Sequence, residues 1–566
     1  IIVGTLDWVV IGIFFLALIG IIVWVVKQKQ NDSADYFLGG RDATWLAIGA
    51  SIFASNIGSE HLIGLAGAGA SSGMAMAHWE IQGWMILILG WVFVPFYSRS
   101  MVYTMPEFLE RRYNPQSRTI LSVISLISYV LTKVAVTVYA GGLVFQQVFG
   151  IKELWGIDFF WIAAIGLVVL TALYTIFGGM KSVLYTSVLQ TPILLLGSLI
   201  ILVLGFKELG GWDEMMSICS AVTVNEYGDT MTQLIRDNND PNFPWLGALV
   251  GSAIIGFWYW CTDQFIVQRV LSGKNEKEAR RGTIFGAYLK LLPVFLFLIP
   301  GMIAFALHQK YIGAGGEGFL PLLANGTANA DAAFPTLVAK LLPAGVKGLV
   351  VCGILAALMS SLASLFNSSA MLFTIDFYKR FKPETPEKKL VGIGQIATVV
   401  IVILGILWIP IMRSVGDVLY TYLQDVQSVL APGIAAAFLL GICWKRTSAK
   451  GGMWGLIAGM IIGLTRLGAK VYYSNTAITD SSMFKYLFYD LNWLFFCGWM
   501  FLFCIIVVIA VSLMTEAPSA EKIQGLVFGT STPEQKAATR ASWNHWDIIH
   551  TVIILAITAA FYWYFW

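Results

Sequence analysis

Charged residues are scarce in this chain: Asp, Glu, Lys and Arg make up 12% of the sequence, about half the share found in ordinary soluble domains. Charge this sparse cannot coat the several soluble domains that a length of 566 residues would otherwise suggest. The scarcity excludes a soluble multidomain enzyme and a disordered chain. The same composition excludes a nucleic-acid binder, and the balance of 36 basic against 33 acidic residues supports no electrostatic claim about partners.

Cysteine and histidine are also sparse, with six Cys and five His in the chain. No CxxC pair suggests zinc, and no disulfide framework follows from the Cys positions. The sequence contains neither HExxH nor a Cys/His metal cluster, and the segment 177–182 lacks the Gly-Lys of a phosphate-binding loop. A G-x-S-x-G match at residues 69–73 follows an apolar run instead of a strand, so we interpret it as a coincidence. The sequence predicts no enzyme and no organic cofactor, and it disfavours an ATP-driven pump.

Hydrophobic residues, by contrast, make up 57% of the chain, and 21 Trp suit the aromatic belts of a membrane protein. A helix needs about 20 mostly apolar residues to cross the hydrocarbon core. Helices satisfy their own backbone hydrogen bonds in lipid, so we predict an all-α polytopic membrane protein with about 14 transmembrane helices. The runs are 6–26, 44–70, 76–98, 117–148, 158–177, 182–206, 243–268, 282–308, 345–378, 390–412, 415–443, 451–473, 486–514 and 546–565.

Basic residues set the predicted orientation. With the N-terminus outside, the connections on the cytoplasmic side carry more than twice as many Lys and Arg as the outer ones, as the positive-inside rule requires. Both termini are then extracytoplasmic in a multi-pass protein of the cell membrane. No small-residue cleavage site follows the first run, so we interpret it as a helix and not as a signal peptide. Asn325 begins a glycosylation-type triplet that we interpret as a chance match.

Two of the apolar runs carry polar residues in their middle. The second run holds Ser, Asn, Gly, Glu and His within residues 51–61, and the seventh holds an aromatic and polar segment at 256–264. Secondary transporters bind substrate near mid-membrane, where spans in matching positions of two halves are interrupted. These runs lie five apart, as the first members of two five-helix repeats would. The pattern favours a transporter over the alternative of two kinked helices with satisfied polar groups.

Four ionisable residues fall within predicted spans, where such residues are functional by default: Glu80, Lys133, Asp263 and Lys290. Lys133 has a structural alternative, as the partner of a carbonyl or carboxylate. Glu80 and Lys290 suit a pair that contacts a neutral polyhydroxyl substrate, since a zwitterionic or anionic substrate would require an unpaired positive group. Candidate aromatic plates are Trp79, Trp258, Tyr259 and Trp260, and candidate polar contacts are Asn56, His61, Glu80, Lys290 and Gln424. For His61 the alternative is an ordinary satisfied histidine.

Hydroxyl side chains cluster in the ninth span, at Ser360, Ser361 and Ser364. Such hydroxyls either bond back to carbonyls of their own helix or supply oxygen to a cation, together with carbonyls freed at a helix break. Because the cluster contains no carboxylate, it argues against a calcium site and is compatible with sodium.

At these residues the chain resembles the sodium/glucose cotransporters of the solute:sodium symporter family. The likeness runs over nearly the whole chain, in segments 35–41, 54–61, 104–108, 258–264, 267–269, 288–291 and 360–367 and in the final Trp-Tyr-Phe-Trp helix. The resemblance implies a leucine-transporter-like fold of two inverted five-helix repeats. The expected organisation is an extra N-terminal helix (1–30), a first repeat (31–206), an extracellular loop (207–242), a second repeat (243–446, with an extracellular loop at 309–344) and three C-terminal helices (447–566).

The resemblance also implies roles for individual residues. It implies a sodium site formed by three carbonyls and two hydroxyls, those of Ala54, Ile57, Ala357, Ser360 and Ser361. Sugar-contacting positions correspond to Asn56, His61, Glu80, Lys290 and Gln424. Trp260 matches an aromatic plate, Tyr259 the inner gate beside it, and Leu62, Trp79 and Tyr420 the outer gate. Two departures stand out: Ser187 replaces the usual Asp, and residues 59–61 resemble the inositol-transporting branch.

We therefore predict a sodium-coupled symporter that imports a neutral sugar, a glucose- or galactose-like hexose, by alternating access. One Na⁺ per sugar is expected, because Ala363 lacks the hydroxyl that family members with a second sodium site carry, and Ser187 removes a nearby acid. A weak second site is the alternative that Ser55 and Ser364 leave open. The alternatives are a sodium/myo-inositol symporter, a more distant amino-acid or carboxylate symporter, and a membrane sugar sensor without transport. The expected partners are the sugar, sodium and the lipid bilayer, with neither nucleic acid nor an obligate protein partner.

Overall fold

Helices dominate the structure, as expected of a backbone that must satisfy its own hydrogen bonds in lipid. The structure is a computed structural model that describes residues 4–28, 32–58, 60–322, 326–415, 417–473 and 481–566. Within these ranges the side chains are described except at 60, 131, 132, 135, 136, 140, 143, 147, 331, 408, 409, 411–415, 417–426 and 471. The predictions made for Ser59 and Asn325 lie outside the described residues.

The first part of the chain begins with a 22-residue helix and continues with shorter helices separated by breaks. Its α-helices are α1 (Thr5–Val26), α2 (Ser33–Leu38), α3 (Trp45–Asn56), α4 (Ala66–Ser71), α5 (Ala77–Glu80), α6 (Gly83–Ile88), α7 (Val94–Ser100), α8 (Met105–Arg112), α9 (Pro115–Ile127), α10 (Ala135–Phe149) and α11 (Phe159–Leu209). Several are joined by π-helical segments, at Glu60–Leu65, Leu89–Phe93 and Ser128–Val134, and by 3-10 turns at Gly39–Arg41 and Gly73–Met76. An antiparallel hairpin of β1 (Glu153–Leu154) and β2 (Ile157–Asp158) precedes α11.

Helix α11 is kinked at Gly179, where φ is 59° and ψ is −147°. A side chain at this position would place its Cβ 2.3 Å from the carbonyl oxygen of Tyr36, so the close approach of α2 requires glycine as well. The two runs predicted at 158–177 and 182–206 lie on either side of this kink.

The remaining chain contains fifteen α-helices within the described residues. They are α12 (Trp212–Ser220), α13 (Trp245–Phe257), α14 (Gln264–Leu271), α15 (Glu276–Lys290), α16 (Ile299–Gly313), α17 (Ala333–Leu341), α18 (Val346–Met371), α19 (Glu387–Val415), α20 (Asp417–Cys443), α21 (Ala449–Tyr473), α22 (Met483–Lys485), α23 (Trp493–Met514), α24 (Ala520–Ile523), α25 (Pro533–Ala541) and α26 (His545–Tyr564). π-Helical segments occur at Trp258–Thr262, Val294–Leu298, Leu372–Lys379 and Tyr486–Asp490, and a 3-10 turn at Ala330–Ala332.

Ten helical stretches among the described residues are long and apolar enough to cross a membrane. They are Thr5–Val26, Gly73–Ser100, Phe159–Leu209, Trp245–Thr262, Glu276–Gly313, Val346–Lys379, Glu387–Leu407, Ala449–Lys470, Trp493–Met514 and His545–Tyr564. The predicted number of fourteen is not confirmed. Two predicted runs contain shorter apolar helices, Trp45–Asn56 and Gln427–Cys443, and the two runs of α11 form one stretch. The run predicted at 117–148, where a π-helical segment joins α9 to α10, is not among the ten stretches.

The core lies where α11 packs along α18 and α3 packs along α15. Apolar side chains of these helices belong to one continuous buried cluster. Large apolar side chains on α1 point away from it, with Ile13 63% and Leu16 70% exposed. In a membrane such side chains contact lipid, so α1 lies at the periphery of the bundle.

A buried carboxylate connects this peripheral helix to the core. Asp7 of α1 is 1% exposed, and its Oδ1 accepts hydrogen bonds from the backbone N–H groups of Gly345 (2.6 Å) and Gly348 (2.8 Å). These groups belong to the N-terminal end of α18, which attracts negative charge and leaves N–H groups without helical partners. Asp7 thus caps α18, the helix that carries the clustered serines.

The loop at 207–242 packs against the turn between α4 and α5. The backbone N–H of Met74 donates to the carbonyl of Met231 at 2.9 Å, and Arg236 donates to the carbonyl of Ser72. Burial lowers the pKa of Arg236 to about 10, against the opposing effect of nearby carboxylates. His78 of α5 contacts the loop as well, since its Nε2 lies 3.0 Å from the carbonyl oxygen of Leu234. The loop therefore holds the turn that precedes Trp79 and Glu80.

Candidate substrate and sodium sites

The second predicted span is interrupted at the position that its polar residues indicate. Helix α3 ends at Asn56, and Ile57 is extended, with φ −79° and ψ 118°. The chain then continues through the π-helical segment Glu60–Leu65 into α4. Because the regular hydrogen bonds stop here, carbonyl oxygens near residues 54–58 are available for other partners.

The seventh predicted span is interrupted in the same way. Helix α13 passes into the π-helical segment Trp258–Thr262, Asp263 is extended with φ −84° and ψ 132°, and α14 follows. Both interruptions expected from the sequence are therefore present. They occur at the residues that the two polar segments contain.

A third interruption, which the sequence did not predict, follows Glu80. Helix α5 ends there, Ile81 has φ −88° and ψ 50°, and α6 begins at Gly83. The run at 76–98 is predicted as one continuous span because of its length, although His78, Glu80 and Gln82 stand beside the break. The break leaves the Glu80 carboxylate at the end of a short helix, directed into the cavity described next.

A cavity of about 440 Å³ lies between these interrupted helices. Its volume is within the range of ordinary small-molecule sites, about 300–1,000 Å³. It brings together six residues that the sequence nominated as substrate contacts: Asn56, His61, Glu80, Tyr259, Trp260 and Lys290. Gln424, the seventh, lies on α20 with its side chain outside the described residues.

A hydrogen-bonded ion pair forms one wall of the cavity. The Lys290 ammonium lies 2.8 Å from Oε2 of Glu80 and 2.9 Å from Oδ1 of Asn56, and its side chain is 3% exposed. Nε2 of His61 lies 3.2 Å from the same Glu80 oxygen, and Nδ2 of Asn56 donates to the Tyr259 hydroxyl at 3.1 Å. Nδ1 of His61 is buried and has no hydrogen-bond partner in the described part of the chain. The cluster combines balanced charge with spare donors and acceptors.

Aromatic rings form the adjacent surface. The rings of Tyr259 and Trp260 stand perpendicular with centroids 4.8 Å apart, and the Lys290 ammonium lies 5.2 Å from the Trp260 centroid. The Trp260 indole N–H donates to Oε1 of Gln82 at 3.2 Å, while Nε2 of Gln82 donates to the Ser252 carbonyl at 2.8 Å. The sequence analysis did not nominate Gln82, although a polar amide in an apolar run, two residues after Glu80, indicates a candidate site residue. Gln82 fixes the orientation of the Trp260 plate.

Of the three predicted outer-gate residues, one lines the cavity, one does not, and the side chain of the third is outside the described residues. Trp79 lines the cavity and stacks on Trp493 of α23, with ring centroids 5.7 Å apart. Leu62 is 1% exposed on the π-helical segment and is not among the residues lining the cavity. The Tyr420 side chain is outside the described residues. Trp493 lies far along the chain, beyond both expected repeats, and nothing in the sequence connected it with Trp79.

Tyr259, the predicted inner gate, separates the main cavity from a small one of about 50 Å³. Asn56 and Tyr259 line both cavities, so their hydrogen bond lies between the two. Lys133 lines the small cavity, with its ammonium 3.0 Å from Oδ2 of Asp263 and over the rings of Tyr259 and three other aromatic residues. The structural alternative for Lys133, a carboxylate partner, is therefore present at the second helix break.

The clustered serines of α18 meet the broken second span. The Ser360 hydroxyl lies 2.9 Å from the Ala54 carbonyl oxygen and 3.3 Å from that of Ala357, and the Ser361 hydroxyl lies 3.0 Å from the Ile57 carbonyl oxygen. The five expected sodium ligands thus lie in two groups of neutral oxygens, one around the Ser360 hydroxyl and one around the Ser361 hydroxyl. The carbonyl of Ser55, 2.9 Å from the Ser361 hydroxyl, joins the second group and was not nominated from the sequence.

Gly58 makes this close approach possible. A Cβ at position 58 would lie 2.9 Å from the Ser361 hydroxyl, a distance at which atoms must shift. The expected ratio of one Na⁺ per sugar rests on Ala363 and Ser187, which are both buried nearby. Ala363 offers no side-chain oxygen. The Ser187 hydroxyl donates to the carbonyl of Val183 at 2.7 Å. Neutral oxygens from a helix break suit a monovalent cation better than a divalent one.

Comparison with known proteins shows the family of this chain. The family model of the sodium:solute symporter family matches residues 36–459. Sodium/myo-inositol cotransporter 2 of Homo sapiens is 37% identical over 93% of this chain and 79% of its own length, and sodium/glucose cotransporter 1 of Ovis aries is 37% identical over 90% and 79%. A solved Na⁺-coupled sialic acid symporter, in a substrate-bound outward-open state, has a TM-score of 0.72 at 22% identity, covering 91% of this chain and 99% of its own.

Fold and family together define a multi-pass, sodium-coupled secondary transporter with a leucine-transporter-like fold, and not an enzyme. The chain belongs to the sodium:solute symporter family. The resemblance drawn from the sequence motifs is confirmed.

Proposed function

We propose that this protein imports a neutral hexose of the glucose or galactose type together with sodium, by alternating access. The observation that carries the proposal is the Lys290–Glu80 pair at 2.8 Å in the wall of the cavity. Each charge already has its counter-charge, so an anionic or zwitterionic substrate finds no unpaired partner there. A neutral polyhydroxyl substrate gains hydrogen bonds to both charged groups, which are stronger than bonds between neutral groups.

The aromatic surface supports the same substrate class. A sugar ring has an apolar face as well as hydroxyls, and the Trp260 plate lies beside the charged pair, oriented by Gln82. The Nδ1 atom of His61 offers a further contact for a hydroxyl. We assign Asn56, His61, Glu80, Tyr259, Trp260, Lys290 and Gln424 to the substrate site.

We further propose that Ala54, Ile57, Ala357, Ser360 and Ser361 bind the co-transported sodium, and that one sodium ion accompanies each sugar. The neutral oxygens at the break supply ligands for a single monovalent ion. A second buried cation would need compensating charge or ligands, which Ala363 and Ser187 do not provide. One net charge then moves in each cycle.

Tyr259 acts as the inner gate in this proposal, because its hydrogen bond to Asn56 lies between the substrate cavity and the small cavity beneath it. Trp79, with Leu62 and Tyr420, forms the outer gate, and the Trp79–Trp493 stack extends it. The two repeats comprise 31–206 and 243–446, and both termini face the outside, as the basic residues predict.

A sodium/myo-inositol symporter is the second candidate. It is favoured by the inositol-branch likeness of residues 59–61, and relatives named sodium/myo-inositol cotransporter 2 match at 36–37% identity, the same level as the relatives named for glucose. Identity therefore does not separate the two sugars.

The test uses the purified protein in proteoliposomes with glucose, galactose and myo-inositol as competitors, and a reversal-potential measurement with the preferred one. We expect a hexose to compete best and one charge to move per sugar. Preference for myo-inositol would select the second candidate. Two charges per sugar would contradict the single sodium site, and binding without flux would indicate a sensor.

A further inference from the structure

Two residues of the substrate cavity, Trp79 and Glu80, are carried by α5, a helix of only four residues. A 3-10 turn precedes α5, and the break at Ile81 follows it. So short a helix has little stability of its own, because most helical stability in proteins comes from packing. The position of the Glu80 carboxylate in the cavity therefore depends on the contacts that hold α5 from outside.

His78 holds this helix on the side away from the cavity. It lies two positions before Glu80, which corresponds to a rotation of about 200° around a helix, so the two side chains point in nearly opposite directions. His78 is 2% exposed. Its Nε2 lies 3.0 Å from the carbonyl oxygen of Leu234, in the loop at 207–242, and its Nδ1 lies 3.0 Å from the hydroxyl of Tyr562, on α26.

The two partners determine which ring nitrogen of His78 carries the proton. A carbonyl oxygen only accepts hydrogen bonds, so Nε2 donates to Leu234, and Nδ1 of the neutral ring accepts from the Tyr562 hydroxyl. Both nitrogens of the buried ring are thus bonded. An apolar ring at this position would occupy similar space but would deprive the Leu234 carbonyl and the Tyr562 hydroxyl of this partner.

The two elements that hold His78 are also bonded to each other. The backbone N–H of Leu234 donates to the carbonyl oxygen of Phe565, directly after α26, at 2.8 Å. The indole N–H of Trp212, in the same loop as Leu234, donates to the Tyr564 hydroxyl at 3.1 Å. The loop and the end of α26 therefore form one support, and the His78 ring is bonded to both parts of it.

We propose that His78 is a positioning residue for the substrate site, through which the loop at 207–242 and α26 control sugar affinity. The inference rests on the proposed function, in which the Glu80 carboxylate bonds a sugar hydroxyl. His78 is not among the described residues that line the cavity, and neither is any described residue of α26. Their effect on the sugar passes through the position of α5.

The geometry of the charged pair makes this position important. The Glu80 carboxylate lies 2.8 Å from the Lys290 ammonium and 3.2 Å from Nε2 of His61. Binding groups have to stay within about 0.5 Å of their productive geometry. A small displacement of α5 therefore misplaces the Glu80 carboxylate relative to the sugar.

The experiment measures the affinity of the purified protein for glucose, galactose and myo-inositol in the presence of sodium. His78→Phe removes both hydrogen bonds and should weaken binding of the preferred sugar about tenfold. His78→Gln keeps a donor for the Leu234 carbonyl, and Tyr562→Phe removes only the other bond, so each should weaken binding about threefold. His545→Phe, the same substitution at an exposed position at the start of α26, is the matched control and should bind sugar as the parent does.

A double variant distinguishes positioning from general damage. Because His78 acts through Glu80, adding His78→Phe to Glu80→Gln should cause little further loss of sugar affinity, whereas independent effects would multiply. Sodium binding without sugar should remain that of the parent. If His78→Phe does not fold, the same cycle with Tyr562→Phe decides.

Unchanged sugar affinity in both His78→Phe and Tyr562→Phe, or losses that multiply fully in the double variant, would overturn the positioning role while the parent still binds sugar. A parent protein that binds none of the three sugars would instead overturn the proposed function, and the positioning role with it.

Discussion

Replacing Glu80 with Gln keeps the size of the side chain and one oxygen acceptor but removes the charge that balances Lys290. The Lys290 side chain is 3% exposed, and Glu80 is its charged partner at 2.8 Å. Removing one member of a buried ion pair costs about 3–5 kcal/mol, because the remaining charge is left uncompensated. We therefore expect Glu80→Gln to lower the thermal stability of the sugar-free protein.

Substrate affinity should fall as well. A substrate hydroxyl that loses its hydrogen bond to the Glu80 carboxylate is left without a buried partner, which costs about 1–3 kcal/mol. At about 1.4 kcal/mol for each factor of ten, this corresponds to an apparent sugar affinity roughly 5- to 150-fold weaker. Sodium binding measured without sugar should change little, since none of the proposed sodium ligands contacts Glu80. Sugar and sodium titrations of the purified protein measure both quantities.

A double variant separates stability from recognition. In Glu80→Gln with Lys290→Met no unpaired charge remains, so thermal stability should recover, because an apolar replacement of a buried pair is often neutral. Sugar affinity should not recover. Glu153→Gln, on the exposed strand β1, is the charge-matched control. Normal sugar affinity in Glu80→Gln, or recovery of sugar affinity in the double variant, would refute the reasoning.

Four further variants test other parts of the account. Ser361→Ala should weaken sodium dependence before it alters sugar selectivity, and an unchanged sodium titration curve would remove this ligand. Gly58→Ala should weaken sodium binding in the same assay, because its Cβ would lie 2.9 Å from the Ser361 hydroxyl. Gln424→Ala should lower apparent sugar affinity roughly tenfold, and unchanged binding across the sugar panel would exclude it. Asp7→Ala should cost about 0.5–2 kcal/mol of stability through the lost cap of α18, seen as a lower unfolding temperature with sugar selectivity preserved; an unaltered unfolding temperature would show that the cap is dispensable.

Sequence patterns predicted the parts of the site that depend on neighbouring residues. The breaks at Ile57 and Asp263 lie in short segments where polar residues interrupt an apolar run, so composition alone reveals them. The Lys290–Glu80 pair followed from a different rule, that buried charges in a membrane need partners. The identity of the sodium ligands came from the family resemblance and not from spacing.

Features that depend on distant contacts were not predictable in this way. The stack of Trp79 on Trp493 and the cap that Asp7 provides to Gly345 join residues more than 300 positions apart. Their local sequences are ordinary for membrane helices. The break after Glu80 was missed because the run at 76–98 has the length of an ordinary span, although polar residues stand at positions 78, 80 and 82.

Sodium-driven accumulation of sugar tests the central claim most directly. The purified protein is reconstituted into liposomes, a sodium gradient is imposed in the inward direction, and uptake of labelled hexose is followed with a potassium gradient as the control. The account predicts transient accumulation above the external concentration with sodium, its loss when the gradient is collapsed, and no accumulation with potassium. Uptake that merely equilibrates, or that is equal with sodium and potassium, would contradict it.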